Sequence, residues 1–121
     1  MASRIVSLPI DCTDAELLAA FWADVLGWPV VKRGYYGVTI GPTDNSPFEI
    51  DFRTVSDRKT TKNRLHLDIN PTDRDQAAEL ARLRALGATP VDVGQSGDVS
   101  WHVLADPEGN EFCLCRTRVD P

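Results

Sequence analysis

His66 and Asp68 lie two residues apart in a stretch whose alternation predicts a strand over 64–70. Leu65, Leu67 and Ile69 take one face, and His66, Asp68 and Asn70 the other. An imidazole that titrates near neutral pH can act there as a ligand contact or a general base, so His66 is the candidate catalytic residue. The plainer alternative is a histidine hydrogen-bonded within the wall. Asp11 ends an earlier strand on the corresponding face, and like Asp68 it either caps a loop or binds a cationic or hydroxylated ligand. His102 follows Trp101, so their side chains take opposite faces of one strand. Matching Trp101 and Val103 to the core pattern sends His102 to the polar face; the reverse would offer an aromatic platform. Cys113 and Cys115 share a face at i, i+2, with no neighbouring motif that marks a nucleophile, and read as buried, inert thiols. Cys12 reads as structural. Tyr35 and Tyr36 must point opposite ways, so one of them reaches the polar side.

The elements that position these residues come in two copies. SLPIDCTD at 7–14 matches HLDINPTD at 66–73 at a constant offset of 59, pairing Ser7 with His66, Leu8 with Leu67, Ile10 with Ile69 and Asp14 with Asp73. Each is followed by a helical pattern ending in Leu-Gly, at 26–27 and 86–87. A repeat unit of about 55–60 residues is too long for a solenoid and small for an independent domain, so the halves are expected to share a core. In the first half a strand over 4–12 puts Leu8 and Ile10 opposite Ser7, Pro9 and Asp11. Thr13 and Glu16 form a capping box ahead of an apolar stripe of Leu17, Leu18, Phe21, Trp22, Val25 and Leu26, and Gly27 suits a left-handed cap. Trp22 belongs to the core, whereas Trp28 suits a rim or a dimer contact. Strands follow near 28–33, 35–41 and 47–54. In the second half a helix over about 73–86 follows Thr72 as cap, with Ala77, Leu80, Leu83 and Leu86 as core contacts. Strands near 88–93, 98–105 and 110–117 follow, with DPEGN at 106–110 as a hairpin turn. The predicted fold is α+β: two βαβββ modules, about 3–55 and 63–118 of one domain spanning 1–121, forming one curved, mostly antiparallel sheet cup with helices outside.

Composition sets the outer bounds. The chain has 121 residues, 42% hydrophobic content and a formal charge of −5, which argues against nucleic-acid binding. Arg58, Lys59, Lys62 and Arg64 cluster, and read as a solvated linker within the polar join at 55–63. No apolar run approaches the ~20 residues of a membrane span, and residues 1–10 carry no secretory pattern. Three cysteines make no even disulfide set, so a reducing cytoplasm is the expectation.

The repeat, the FWxxVLGW segment (Phe21 to Trp28), DPEGNEF (Asp106 to Phe112), KNRLHLDI (Lys62 to Ile69) and DVSWHVLADPEGNEFC (Asp98 to Cys113) together resemble the vicinal oxygen chelate superfamily. This is the glyoxalase, bleomycin-resistance and extradiol-dioxygenase fold, and the resemblance is narrowest to small bacterial glyoxalase-like proteins. It implies a ligand-binding cup, frequent homodimers and, in metal-dependent members, one ligand from the first and one from the last strand of each module. Those positions fall on Ser7, on Asp51 or Arg53 (with Ile50 and Phe52 on the helix side), on His66 and on Cys113. Glu111 lies two residues from Cys113. A hard divalent metal prefers imidazole and carboxylate; Ser7 is a poor ligand and Arg53 repels a cation. The expectation is therefore no metal and no cofactor. A small organic ligand would contact Ser7, Asp11, Asp51, Arg53, His66, Asp68, His102 and Cys113, and be sequestered or transformed without metal. The alternative is a metal-dependent lyase, isomerase or dioxygenase of the glyoxalase type.

Overall fold

Asp14, not Thr13, caps the first helix: its carboxylate accepts the Leu17 backbone N–H at 3.1 Å. A carboxylate at the N-cap answers both the orphan amide and the helix dipole. Asp75 does the same for Ala78 in the second helix, at 2.8 Å, displacing the expected Thr72 cap. The computed structural model describes residues 2–92, 94 and 100–121. It divides the chain into two compact units, residues 1–58 and 59–121.

The first unit runs β1 (Ser7–Cys12), α1 (Ala15–Leu26), β2 (Val30–Gly34), β3 (Gly37–Ile40) and β4 (Glu49–Thr54). Its sheet has the order β1-β4-β3-β2, with β1 parallel to β4 and the other pairs antiparallel. Leu8 and Ile10 pair with Ile50 and Phe52, which pair in turn with Ile40 and Val38. These form the apolar face against which α1 packs. From α1 that core receives Leu18, Phe21, Trp22 and Val25, with the Phe21 and Trp22 rings edge to face at 5.3 Å. Leu17, expected on the stripe, is exposed. Gly27 closes the helix at φ 71°, as its position predicts. Trp28 is buried, its indole N–H donating to Asp44 at 3.1 Å, and so is not a rim residue.

The second unit repeats the order with less regular backbone: β5 (Asp68–Ile69), α2 (Gln76–Leu86), β6 (Thr89–Pro90), β7 (His102–Ala105) and β8 (Glu111–Leu114). Its sheet is β5-β8-β7-β6, again with the first and last strands parallel. The strand expected over 64–70 shrinks to two residues because only Asp68 and Ile69 find partners, Cys113 and Leu114. Leu65, expected on the apolar face of that strand, is 84% exposed. In α2 the buried residues are Leu83 and Glu79, the latter held by Arg82 at 2.6 Å; Ala77 is exposed. Residues 93 and 95–99 of the strands expected at 88–93 and 98–105 lie outside the described residues. The DPEGN turn forms as expected, with the buried Asp106 carboxylate accepting the Glu108 and Asn110 backbone N–H groups, each at 2.9 Å, and Gly109 at φ 88°.

The α+β class and the two βαβββ modules hold. Among the described residues each module contributes a four-stranded mixed sheet of identical strand order.

Candidate functional site

The second module carries a pocket of about 560 Å³, lined by His66, Asp68, Trp101, Val103, Cys113 and Cys115, with Lys62, Glu111 and Arg116 among the charged residues around it. The register explains the lining. Asp68 pairs with Cys113 and Cys113 with Val103, so their side chains share one face. His102 pairs with Leu114 and therefore belongs to the other face, with the buried residues of β8. This corrects the expectation that His102 lines the cup: Trp101 and Val103 are the pocket residues, and Trp101, 42% exposed, supplies the aromatic platform.

His66 Nδ1 lies 3.6 Å from Asp68 Oδ1, and donor atoms of His66, Asp68 and Cys113 all fall within 4.8 Å of one another. The imidazole and the carboxylate thus stand side by side at the polar edge of the pocket. Burial pushes the Cys113 thiol up, and the negative field of Asp68 pushes it further. Cys115 is raised for the same two reasons. Both are then neutral thiols at physiological pH, poor as nucleophiles. Glu111 is pushed up by burial but held below its ordinary value overall, because Lys59 binds it at 2.8 Å and the Asn63 backbone N–H at 3.0 Å. Lys59, expected in a solvated linker, is thus part of the pocket's support, and Lys62 lines the pocket.

The first module has its own pocket of about 520 Å³, which includes Ser7, Lys32, Tyr36, Thr39, Asp51 and Arg53. Asp51 and Arg53 both lie on this face, which removes the choice between them. Asp51, paired with Pro9 of β1 and Thr39 of β3, is the counterpart of Cys113, paired with Asp68 and Val103. Thr39 donates to Asp51 Oδ1 at 2.6 Å and is hydrogen-bonded to the Tyr36 hydroxyl. Lys32 Nζ and Arg53 Cζ lie 5.6 and 5.5 Å from the Tyr36 ring centroid. Asp11 faces the same way but is exposed and outside the pocket lining.

Of the expected contact residues, then, Ser7, Asp51 and Arg53 gather in one pocket and His66, Asp68 and Cys113 in the other, while Asp11 and His102 join neither. Trp101, Thr39, Lys32 and Tyr36 were missed or left open. The signal for Thr39 was a hydroxyl between Val38 and Ile40, on the polar side of an apolar strand.

The family of metal-dependent relatives implied by the sequence raises the question of fit. His66 and Asp68 suit a divalent ion. The third nearby donor, Cys113, is a soft sulfur ligand where a hard divalent ion prefers oxygen, so the cluster does not fit a hard metal.

A family model described as "Glyoxalase-like domain" matches residues 7–115. Among solved structures, a glyoxalase/bleomycin resistance protein/dioxygenase family enzyme from Burkholderia phytofirmans is similar with a TM-score of 0.69 at 20% identity, covering 93% of this chain and 97% of that one. A mutant of the fosfomycin resistance protein FosX from Listeria monocytogenes, complexed with Mn(II) and a dihydroxypropylphosphonic acid, gives 0.73 at 12% identity, covering 98% and 93%. TnmS3, an antibiotic binding protein from a Streptomyces species, gives 0.60 at 19% identity, covering 95% and 97%. No curated protein matches. At these identities the structural likeness establishes the fold, and chemistry must be argued from this chain's own residues.

Proposed function

The chain belongs to the glyoxalase-like domain family, and on that premise we propose that its second module binds a small organic molecule without a metal, either sequestering it or acting on it through His66. The observation that carries this reading is the pocket itself. A cavity of about 560 Å³ pairs an aromatic plane, Trp101, and an aliphatic wall, Val103, with a short polar edge of His66 and Asp68. That combination of size, apolar lining and few convergent polar groups suits a ligand of drug-like dimensions. An antibiotic-binding protein among the structural neighbours is consistent with it.

The test is a ligand screen read by tryptophan fluorescence and thermal shift. Aromatic or amine-bearing compounds should stabilise the protein, by about 2.7 kcal/mol at 100-fold over the dissociation constant. Trp101→Ala and His66→Ala should weaken binding while the unliganded melting temperature stays close to wild type. Hits that bind both variants as they bind wild type would place the site elsewhere.

A second reading, a metal-dependent lyase, isomerase or dioxygenase, would have to use the donors of His66, Asp68 and Cys113, which lie within 4.8 Å of one another. Metal analysis of untagged protein separates the two. We expect no stoichiometric transition metal; about one equivalent per chain, lost in His66→Ala, would select the second reading. No helix among the described residues is long and apolar enough to cross a membrane. We propose a cytoplasmic homodimer, for which light scattering of the purified chain is the check.

A further inference from the structure

We infer that Cys113, Cys115 and His66 form a site for a soft monovalent metal ion, Cu(I), on the polar edge of the second-module pocket. The sulfur that makes the cluster a poor seat for a hard divalent ion is what selects a soft one. Donor atoms of His66, Asp68 and Cys113 lie within 4.8 Å of one another, as a shared ion requires. Cys115 adds a second sulfur. The Cys113 and Cys115 backbone N–H groups donate to the Leu67 and Ile69 carbonyls at 2.9 and 2.8 Å, so the chain is extended between them and both thiols take one face. Both line the pocket together with His66, and neither is in a disulfide. Two residues of strand separate their Cα atoms by roughly 7 Å, the outer limit for a direct S–S bond. An ion between two sulfurs spans that gap without pulling the strand together.

The donor count chooses among soft ions. Asp68 Oδ1 stands 3.6 Å from His66 Nδ1. A carboxylate on that nitrogen orients the ring and leaves Nε2 to face the metal. The set is then two sulfurs and one nitrogen, enough for Cu(I), whereas zinc takes four ligands. Each thiol gives its proton to solvent as its sulfur takes the ion, and copper keeps its oxidation state. The bound centre carries net negative charge, beside Lys62 and Arg116 of the pocket lining. The site does not depend on the organic-ligand reading, which is carried by Trp101 and Val103. Purification in air without added copper leaves it empty, in keeping with the metal analysis expected above.

The experiment titrates the whole chain with Cu(I) under nitrogen, against bicinchoninate as competing chelator. One ion should bind per chain, and Mn(II) should not bind. Cys113→Ser and Cys115→Ser should each weaken uptake about 100-fold or more, the advantage of a second donor already held in place. Asp68→Asn should weaken it by about tenfold, through the orientation of His66. Cys12→Ala, which removes the thiol of the other module, and Trp101→Ala should leave it unchanged. X-ray absorption at the copper edge of the wild-type complex should show two sulfur neighbours and one nitrogen, a readout that needs no variant to fold. Copper held as tightly in Cys115→Ser, or a copper shell without sulfur, would overturn the inference. So would a lack of Cu(I) uptake, or Zn(II) bound in its place and lost in Asp68→Asn. Copper uptake intact while every organic ligand fails would sink the organic-ligand reading and leave this one standing.

Discussion

The two modules share one strand order and differ in what they spend it on. In the first, β1 pairs with β4 over six residues; in the second, β5 pairs with β8 over two. Helix α1 buries Leu18, Phe21, Trp22 and Val25, whereas α2 buries Leu83 and an arginine-paired Glu79. Across the sheets, an aspartate in a hydrogen-bond chain occupies the place that a neutral thiol takes in the other copy. The first module has the longer strand pairing and a more polar pocket, and the second a shorter pairing and a more apolar one. Duplication preserved the topology, which apolar alternation enforces, and left the exposed face of each sheet free to diverge.

The comparison breaks most completely if the modules are autonomous. Each has about 60 residues, a size at which burial is marginal. We expect the intact chain to unfold in one transition by circular dichroism and fluorescence alike, and fragments 1–57 and 62–121 to be unfolded or insoluble when expressed separately. A folded monomeric fragment would show that neither needs the other. Next in size are the core residues. Trp22→Ala should cost about 3–5 kcal/mol in urea denaturation, and Leu83→Ala should fall lower in the range of about 2–5 kcal/mol for buried leucines. Equal losses would mean that α2 contributes as much as α1. The helix caps sharpen the point at smaller scale: Asp14→Ala and Asp75→Ala should each cost about 0.5–2 kcal/mol, because both carboxylates make the same bond to the same helix position.

The chemical contrast between the copies is tested by alkylation. Iodoacetamide should modify Cys113 more slowly than a free cysteine peptide at pH 8, and Asp68→Asn should speed it by removing the negative charge, while burial keeps part of the protection. A thiol whose folded value is raised favours the protonated native state, so its contribution is intact below the ordinary cysteine range and is lost as pH rises through the folded value. The smallest effect belongs to the surface. Glu16→Gln breaks an exposed pair with Arg33 and should leave the denaturation midpoint unchanged, while Glu79→Gln, at the buried end of Arg82, should lower it.

Much of this was readable in advance because it depends on period and repetition. Alternation placed Ser7, Asp51 and Arg53 on one face and Leu8, Ile10, Ile50 and Phe52 on the other, since a strand in a half-buried sheet has no second choice. The DPEGN turn and Gly27 were legible for the same local reason. What was lost depended on competition. Thr13 and Asp14 can both cap a helix, and the choice rests on where the first turn starts. His102 goes the other way because alternation fixes only that Trp101 and Val103 share a face, not which face is the core, and a large aromatic suits a pocket wall equally well. The relay through Thr39 was invisible because it needs the register of β3 against β4, which no local pattern encodes. Metal, catalysis and oligomeric state have no such local signature.

Gly37 carries one more lesson. It sits at φ 143°, opposite Arg53 in β4, and a Cβ built on it would lie 1.9 Å from the Phe52 carbonyl oxygen. Tyr36 is its neighbour, and the Tyr36 carbonyl is bonded to the Thr54 N–H at 2.8 Å. Any side chain at 37 must push β4 away from β3, and with it Asp51 from Thr39. In a mutational search for new ligand preferences, this position is closed to all nineteen alternatives by backbone sterics alone. Variation in the first module must therefore travel through the side chains at 32, 36, 39, 51 and 53, and libraries built there start from a frame that its own glycine holds still.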